Sequence, residues 1–452
     1  MNLLFIHQNF PGQFKHPAPA LAQRGHRVLA LRLQEGGQVQ DWPGVGAIPY
    51  QADRGTSSSV HPWIADLETK VIRAEACFRA ARRLREQGFK PDAIIAHSGW
   101  GESLFLKELW PKAQLGIYCE FFYHPKGADV GFDPEFPSAD PEAEGCCLRL
   151  KNINNLLHFA IADTGLFPTR WQAGTFPEPF RSRIVIIHDG IDTKTVSPNP
   201  GVSLTLKTGA GETRQLTRAD EVITFVNRNL EPYRGFHVFM RALPELLARR
   251  PHARVLIVGG QGTSYGAAPD LTHYKGLKTW REIFTAEVRP SIPDPDWVRV
   301  HFLGNLPYPQ FIALLQLTTV HVYLTYPFVL SWSLIEAMSA GCTIVASQTP
   351  PVSEVIHHQE TGWLVDFFDR QGLVDAVCAL LDNPMMRQRL GENARAFVQG
   401  HYDLKRVCLP QQIAWVEGLR QAGTCSAVEW QVRGIETARM ISPDCRALAC
   451  RS

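Results

Sequence analysis

The chain has 452 residues, 45% of them hydrophobic and 20% charged, and its formal net charge is +2. Because one hydrophobic core rarely grows beyond 250–300 residues, this length predicts two domains. The composition is that of an ordinary globular protein and excludes a disordered chain. The small net charge gives no reason to expect a nucleic-acid partner. The arginines clustered at 79–85 are interpreted as the solvated face of a helix.

Targeting and redox signals are few. The first residues, MNLLFIHQNF, lack a basic segment and a long apolar run, so no signal peptide is predicted. No stretch approaches the ~20 apolar residues of a membrane-spanning helix. The ten cysteines are scattered apart from the pair Cys146 and Cys147, which predicts reduced thiols rather than disulfides or zinc. We expect a cytoplasmic protein, with peripheral contact to the inner face of the membrane left open.

Short apolar runs alternate with amphipathic patterns along the first half of the chain. Strands are predicted at 2–7, 27–33, 92–97, 114–121, 160–164 and 183–189, and helices at 66–87, 102–110 and 146–159. Apolar strands that alternate with helices indicate a parallel sheet covered on both faces. Residues 125–145 interrupt this pattern with four prolines and six carboxylates. They predict a mobile acidic loop that serves as a lid or an acceptor-side insertion.

The second half starts the same pattern again. Strands are predicted at 222–227, 254–259, 298–303, 319–325, 343–347 and 363–367, and helices at 236–250, 308–317, 332–340, 352–358 and 371–382.

The sequence therefore predicts two doubly wound α/β domains, at 1–191 and 221–403. Residues 192–220 would be the interdomain segment, with a hairpin around Gly209 and Gly211. Residues 421–452 lose periodicity and are predicted to form an irregular tail.

Ligands of open α/β sheets bind beyond the carboxyl ends of the strands, so the residues there are the candidate site. The segment VITFVNRNLEPYRGF places Arg228 and Arg234 between a strand and a helix that begins near Gly235. Two guanidiniums beside a helix N-terminus suit a dianionic group such as a diphosphate. The alternative is that both arginines pair with Glu231 and other carboxylates.

A second strand end leads into the helix of YPFVLSWSLIEAMSAG. Ser331 is the predicted N-cap, and Glu336 falls among apolar residues in the second helical turn. A carboxylate in such a position needs hydrogen-bond donors, which two vicinal ribose hydroxyls would supply. A capping-box glutamate or a buried pair with an arginine are the alternatives.

Two glycine-containing turns are weaker signals. Gly12 in HQNFPGQF precedes a helix and permits close approach of the backbone to a ligand. Gly260 opens the run 259–266, GGQGTSYG, which lacks the full dinucleotide fingerprint. Either turn could also be an ordinary loop.

Taken together, these segments resemble the retaining glycosyltransferases of family 4, which have the GT-B fold of two doubly wound domains facing across a cleft. The resemblance covers about 1–420 in order and spacing. Its most specific piece is SWSLIEAMSAGCTIVAS, similar to the family's glutamate-bearing helix. IIHDGID resembles the family's segment entering the interdomain linker, with Asp189 in place of the usual asparagine. The last helix, about 404–420, would cross back to the N-terminal domain.

The resemblance implies roles for individual residues. Arg228 and Arg234 would grip the donor diphosphate, Glu336 would bind the ribose, and Gly12 would face the acceptor and the donor phosphates. His97 would face the cleft, and Glu120 stands where the family usually has a histidine near the reacting centre.

The chain departs from the family pattern at one loop. The first of the family's two glutamates would fall on Phe328. The donor loop beneath the sugar is then formed by Phe328, Val329, Leu330 and Ser331, and Gly260 is a further candidate for donor binding.

The implied reaction moves a hexosyl group from a nucleoside diphosphate sugar, with a UDP-sugar favoured, to an acceptor hydroxyl with retention of configuration. No cofactor is implied beyond this co-substrate. No DxD pair ends a strand, so a metal-independent enzyme is expected. The acceptor, whether a glycan, a lipid-linked or a small molecule, is left open. A sugar-nucleotide-binding protein without turnover and a sugar-nucleotide 2-epimerase are the alternatives.

Overall fold

The computed structural model describes residues 1–34, 42–207 and 213–421. Two parallel sheets organise them. The strands, in chain order, are β1 (Asn2–Ile6), β2 (Arg27–Leu33), β3 (Val45–Tyr50), β4 (Ala93–His97), β5 (Gln114–Tyr118), β6 (Thr164–Phe167), β7 (Ile184–Ile186), β8 (Ser203–Lys207), β9 (Thr213–Thr217), β10 (Val222–Asn229), β11 (Arg254–Gly260), β12 (Val300–Gly304), β13 (Val320–Tyr323), β14 (Ile344–Ser347) and β15 (Trp363–Val365).

Helices cover both faces of the two sheets. In chain order they are α1 (Pro17–Gln23), α2 (Ala65–Glu86), α3 (Leu106–Leu109), α4 (Pro141–Lys151), α5 (Ile153–Ile161), α6 (Arg170–Gly174), α7 (Glu178–Arg181), α8 (Phe236–Arg249), α9 (Trp280–Val288), α10 (Asp294–Trp297), α11 (Tyr308–Leu317), α12 (Trp332–Ser339), α13 (Pro350–Ser353), α14 (Arg370–Asp382), α15 (Pro384–His401) and α16 (Leu409–Gly418). Among the residues described, no helix is long and apolar enough to cross a membrane.

The N-terminal sheet has the order β3-β2-β1-β4-β5-β6-β7, and the C-terminal sheet has the order β12-β11-β10-β13-β14-β15. Every pairing within the two sheets is parallel. In each sheet the first strand of the domain lies next to the middle, and the chain winds outward from it in both directions. The prediction of two doubly wound parallel sheets is confirmed.

The structure differs from the prediction at several elements. The helix predicted at 102–110 covers only 106–109, and the one predicted at 146–159 is divided between α4 and α5. The strand predicted at 160–164 is wrong at its start, because the buried Phe159 keeps the chain helical to Ile161 and β6 begins at Thr164. The helix predicted at 352–358 is a single turn at 350–353. Strand β3 was not predicted, because Gly46 and Pro49 disfavour a strand, and proline is tolerated there since β3 is an edge strand.

The segment between the sheets contains the predicted hairpin strands. β8 and β9 pair antiparallel from Ser203–Thr217 to Lys207–Thr213. The predicted turn glycines, Gly209 and Gly211, lie outside the described residues, as do 422–452 of the predicted tail. The domain limits 1–191, 192–220 and 221–403 remain predictions.

Helix α16 packs on the N-terminal sheet. The indole of Trp415 lies against Gly116 of β5, where a Cβ would come within 2.8 Å of the ring. Glu417 pairs with Arg24 at 2.8 Å, and Gln412 donates to the backbone oxygen of His188 at 3.0 Å. The end of the described chain therefore lies on the first sheet, after the second sheet has been completed.

Residues 128–136 cross from the N-terminal sheet to the C-terminal one, and we call this segment the arm. Phe132 packs between Tyr326 and Phe368, with ring centroids 5.1 and 5.2 Å away. Asp133 is buried, paired with His237 at 2.9 Å and bonded to the Tyr326 hydroxyl at 2.7 Å. The prediction of a loop over 125–145 is wrong from Pro141, where α4 begins. The acidic residues of the arm connect the domains.

Candidate active site

Glu120 and His97 lie together at the carboxyl ends of β5 and β4. His97 is buried, and its Nε2 lies 3.4 Å from Oε1 of Glu120. His97 Nδ1 accepts from the amide of Gly99, so the neutral ring carries its proton on the Nε2 that faces Glu120. Burial opposes the charge of Glu120, but His97, His7 and Arg228 together hold the pKa of its carboxyl below the usual value. Glu120 is therefore ionised at neutral pH.

A chain of hydrogen bonds from the loop after β1 orients the carboxylate of Glu120. The amide of Asn9 donates to Nδ1 of His7, and His7 Nε2 donates to Oε1 of Gln13 at 2.8 Å. The Gln13 amide then donates to Oε1 of Glu120 at 3.2 Å. Burial is the main reason that the pKa of His7 falls to about 4, so this imidazole stays neutral.

Gly12 belongs to the same loop. Its φ is +47°, and a Cβ there would lie 2.2 Å from the His7 ring. A larger residue would push His7 away from Gln13, so the glycine is required by packing within the loop.

Arg228 lies on the opposite side of the cleft, in the C-terminal domain. It is exposed at the end of β10, and it is close enough to Glu120 to lower the pKa of that carboxyl. Within the described ranges no carboxylate lies within 4 Å of its guanidinium. Arg228 is thus available to an anionic ligand.

Arg234 is buried, and one of its guanidinium nitrogens already donates hydrogen bonds within the protein. Its Nη1 donates to Oγ1 of Thr325 at 2.8 Å and to the backbone oxygen of Val329 at 3.0 Å. The guanidinium lies over the Tyr265 ring at 5.0 Å. Helix α8 begins directly after it, and its N-cap Gly235 supplies no side-chain acceptor for the first-turn amides. Arg234 therefore shapes the donor loop besides adding positive charge.

Glu231 does not pair with the two arginines. Its buried Oε2 accepts the amides of Ser264 and Tyr265, at 2.9 and 3.0 Å, and so folds the loop that follows β11. Gly260 begins this loop, and a Cβ there would lie 2.5 Å from Oδ1 of Asn229. The alternative of Arg–Glu231 ion pairs is not what the structure shows.

Glu336 is buried in α12 and accepts a hydrogen bond from the Tyr308 hydroxyl at 2.8 Å. Burial raises the pKa of its carboxyl, while Tyr308 and Lys15, the latter from the N-terminal domain, act in the opposite direction. Ser331 caps the helix as predicted, accepting the amide of Ser333. Glu336 is neither a capping-box residue nor the partner of an arginine.

Phe328, expected from the resemblance to stand in place of a glutamate, makes an aromatic contact between the domains. Its ring lies 4.9 Å from Phe121 of the N-terminal domain and 5.0 Å from Tyr265. Only 7% of Phe328 is exposed. Leu330 is also buried, and Val329 contributes its carbonyl to Arg234. The donor loop is closed by apolar packing.

Asp189 joins the two domains at the base of the cleft. Its Oδ2 accepts from the Tyr118 hydroxyl at 2.9 Å and from the indole nitrogen of Trp332 at 2.8 Å, while the buried Oδ1 has no partner. Burial raises the pKa of Asp189 to about 7.

We expect Asp189→Asn to stabilise the protein above pH 7, by up to about 4 kcal/mol. The unfolded carboxyl ionises near pH 4, whereas the folded one stays protonated until about pH 7. The wild type therefore loses stability as pH rises through this window. Melting temperatures measured from pH 4 to 8 should diverge steadily between variant and wild type.

Asp192→Asn is the matched control for this prediction. Burial opposes the charge of Asp192, but Lys405 and two backbone amides lower the pKa of its carboxyl. Removing this charge should therefore lower the stability of the protein near neutral pH. A constant difference between Asp189→Asn and wild type from pH 4 to 8 would contradict the buried-acid interpretation.

Among the described residues, one group could hold a metal ion. It consists of Asp133, Glu135 and His237, whose ligand atoms lie within 4.8 Å of one another. These residues join the arm to α8. Asp133 already bonds His237 and Tyr326, and Glu135 pairs with Arg241. The expectation of a metal-independent site stays a prediction.

The structure brings the predicted residues to the facing strand ends of the two sheets. Sequence reasoning missed several contributors: His7, Gln13, Lys15, Tyr308 and the Trp332 indole. His7 and Gln13 flank Gly12 in the motif that was noticed, so their polarity was an available signal. No sequence pattern pointed to Tyr308, because its hydroxyl contacts Glu336 from another helix.

Two protein-family models match the chain. "Glycosyl transferase family 4 group" matches residues 24–196, and "Glycosyl transferases group 1" matches residues 297–397. Together they span more than half of the chain, one in each domain.

Curated relatives match part of the chain. It is 30% identical to the D-inositol 3-phosphate glycosyltransferase of Corynebacterium diphtheriae, over 38% of this chain and 36% of that protein. It is 27% identical to the phosphatidyl-myo-inositol mannosyltransferase of Mycolicibacterium smegmatis, over 52% of this chain and 51% of that protein. The chain thus spans about a third to a half of the length of these relatives.

Solved structures match over nearly the whole length. The sucrose-phosphate synthase of Thermosynechococcus elongatus superposes with a TM-score of 0.67 at 18% identity, covering 92% of this chain and 99% of that one. HepE of Anabaena, solved in complex with UDP and glucose, gives a TM-score of 0.62 at 15% identity, with the same coverage of both chains. The two facing domains therefore form the GT-B fold.

Proposed function

Because the chain belongs to the family 4/group 1 glycosyltransferases, we propose that it transfers a hexosyl group from a nucleoside diphosphate sugar to an acceptor hydroxyl, with retention of configuration. The observation that supports this most directly is the charge on the two sides of the cleft, an unpaired arginine on one side and an ionised carboxylate on the other. Arg228 has no carboxylate partner in the described chain, and its charge lowers the pKa of Glu120 in the other domain.

The donor would lie along the C-terminal domain. Arg228, the free nitrogens of Arg234 and the first amides of α8 would bind the diphosphate, since forked donors and a helix N-terminus both favour negative charge. The buried Glu336, already held by Tyr308, would accept the ribose hydroxyls. UDP is the favoured nucleotide because HepE, a structural neighbour, was solved with UDP and with UDP-glucose.

Bond cleavage would place positive charge on the anomeric carbon and extra negative charge on the leaving diphosphate. Arg228 would stabilise the leaving group, and no divalent metal is required for that role in our proposal. Glu120, ionised and fixed by Gln13, would stabilise the cationic centre and orient the acceptor hydroxyl. Because its pKa is lowered, Glu120 is a weak base. The leaving phosphate would take the acceptor proton on the same face.

A sugar-nucleotide-binding protein without turnover is the second candidate, and one observation favours it. Phe328 packs against Phe121 where a donor sugar would contact the family's glutamate. A transferase needs this aromatic contact to open when the donor enters, whereas a nucleotide-binding protein does not. Mass spectrometry of donor hydrolysis or transfer separates the two.

Thermal stabilisation by UDP, GDP and ADP tests the donor site. A bound nucleotide raises the melting temperature with its affinity, and we expect UDP to give the largest rise. Loss of hydrogen bonds to a charged group is worth about 1.5–3 kcal/mol, so Glu336→Ala should weaken UDP binding on the order of 10–100-fold. Glu360→Ala, an exposed site, should leave UDP binding unchanged. Equal stabilisation of wild type and Glu336→Ala would overturn the ribose assignment.

A further inference from the structure

Tyr308 lies beside Glu336, the residue to which the proposed function assigns the ribose. It is the first residue of α11, and its hydroxyl donates to Oε1 of Glu336, on α12, at 2.8 Å. Half of its surface, 50%, is exposed. The apolar residues later in α11 are buried: Ile312, Leu314, Leu315 and Leu317. Packing of the helix therefore rests on those residues and leaves Tyr308 partly open to solvent.

The hydrogen bond between Tyr308 and Glu336 determines what each group can still bind. A tyrosine hydroxyl carries one hydrogen, and here that hydrogen is directed at Oε1 of Glu336, so the oxygen of Tyr308 is left as an acceptor. Oε2 of Glu336 accepts no hydrogen bond from any described residue. The pair thus presents two neighbouring acceptors and no free donor. Such a pair repels an anion and favours a ligand group that carries two hydroxyls.

Both residues lie where the two domains meet. Burial raises the pKa of the Glu336 carboxyl, while Tyr308 and Lys15, the latter from the N-terminal domain, lower it, so the ammonium of Lys15 lies near this carboxyl. Trp332, one helical turn before Glu336, donates its indole N–H to Asp189 at the base of the cleft. The two acceptors are therefore on the cleft wall of the C-terminal domain, along which the donor would lie.

A vicinal diol matches these two acceptors. One hydroxyl can donate to Oε2 of Glu336 and the other to the oxygen of Tyr308, so that each has its own partner. We propose that Tyr308 binds one of the two ribose hydroxyls of the donor and thereby makes the enzyme select ribonucleotide sugars over deoxyribonucleotide sugars. The inference rests on the proposed function, which gives the ribose to Glu336 alone.

The proposal predicts discrimination between nucleotides that differ by one oxygen. A site built to hydrogen-bond a ligand hydroxyl rejects the analogue that lacks it, because the acceptors in the protein are left unpaired. Wild type should therefore bind UDP more tightly than either 2′-deoxy-UDP or 3′-deoxy-UDP. Isothermal titration calorimetry measures all three dissociation constants without any need for turnover or for an acceptor.

Tyr308→Phe tests the role of the hydroxyl, because it removes one oxygen and keeps the ring. The variant should bind UDP about 3–10-fold more weakly, the loss typical of one neutral hydrogen bond. Its affinity for one of the two deoxynucleotides, the one that lacks the hydroxyl bound by Tyr308, should equal that of wild type. Its affinity for the other deoxynucleotide should fall as much as its affinity for UDP.

This pattern separates ligand binding from a purely structural role. A tyrosine that only orients Glu336 would affect all three nucleotides equally when it is replaced. Equal weakening of all three in Tyr308→Phe, or unchanged UDP binding, would overturn the proposal. Tyr274→Phe is the matched control, since this tyrosine is also partly buried and its hydroxyl bonds no described residue. It should bind all three nucleotides as wild type does.

The proposed function and the role of Tyr308 fail differently. If wild type binds none of the three nucleotides, the donor site is wrong and both proposals fall. If UDP binds and Glu336→Ala weakens that binding, but wild type binds UDP and both deoxynucleotides equally, only the role of Tyr308 is wrong and the donor site stands.

Discussion

Arg228→Ala should lower kcat about 10²–10³-fold, the loss typical of removing one preorganised donor from a developing negative charge. Arg228 is exposed at the end of β10 and makes no ion pair with a described carboxylate, so its removal disturbs little of the fold. Its charge is needed most when the diphosphate leaves, so the change should fall on kcat more than on KM. Steady-state kinetics with UDP-glucose, measured as UDP release, provide the comparison.

Arg218→Ala is the matched control for Arg228→Ala. It removes an exposed arginine of the same half of the chain, just after β9. Its kcat should equal that of wild type. Equal losses from both substitutions would point to a diffuse charge effect, and an unchanged kcat in Arg228→Ala would remove this residue from the mechanism.

Glu120→Gln should lower kcat by about 10²–10³-fold while keeping the shape of the side chain. The wild-type carboxylate is held by Gln13, and its charge faces the position where positive charge develops. Because the pKa of Glu120 lies below its usual value, the carboxylate stays charged as pH falls. Wild-type activity should therefore persist on the acid side to a lower pH than an ordinary glutamate would allow, limited there by protonation of this group.

A pH profile separates this role from a purely structural one. Glu120→Gln should have low activity, and its pH profile should lack the fall at acid pH that we assign to the carboxylate. The variant should still bind UDP. Glu108→Gln, at an exposed position of α3, should retain both the activity and the profile. An acid limb that survives unchanged in Glu120→Gln would show that another group controls it.

Much of the donor half could be predicted from local sequence. Arg228, at the end of β10, and Arg234, just before α8, belong to one strand-to-helix connection, and Ser331 caps the helix that carries Glu336. Spacing alone places each pair relative to its own element. The polar partners could not be predicted this way, because Tyr308 reaches Glu336 from 28 residues away and Gln13 reaches Glu120 from 107 residues away.

The acidic segment shows where local reasoning fails. Prolines and carboxylates at 125–145 predict a solvated loop, since charged residues avoid burial unless they find partners. Asp133 finds its partners, His237 and Tyr326, more than 100 residues away in the other domain. The phenylalanines of the arm, Phe132 and Phe136, likewise pack on C-terminal aromatic side chains.

Local patterns in the sequence were enough to predict two doubly wound domains and the charged residues at their strand ends. Apolar strand runs and helical periodicity are local, so the pattern specifies them directly. Tertiary structure alone decided which charges are free and which are paired. Glu231 accepts two backbone amides, Arg234 donates to Thr325 and Val329, and Arg228 has no carboxylate partner among the described residues. Such pairings depend on distances between residues far apart in the chain, and these distances are set only when both sheets have formed and the arm joins them.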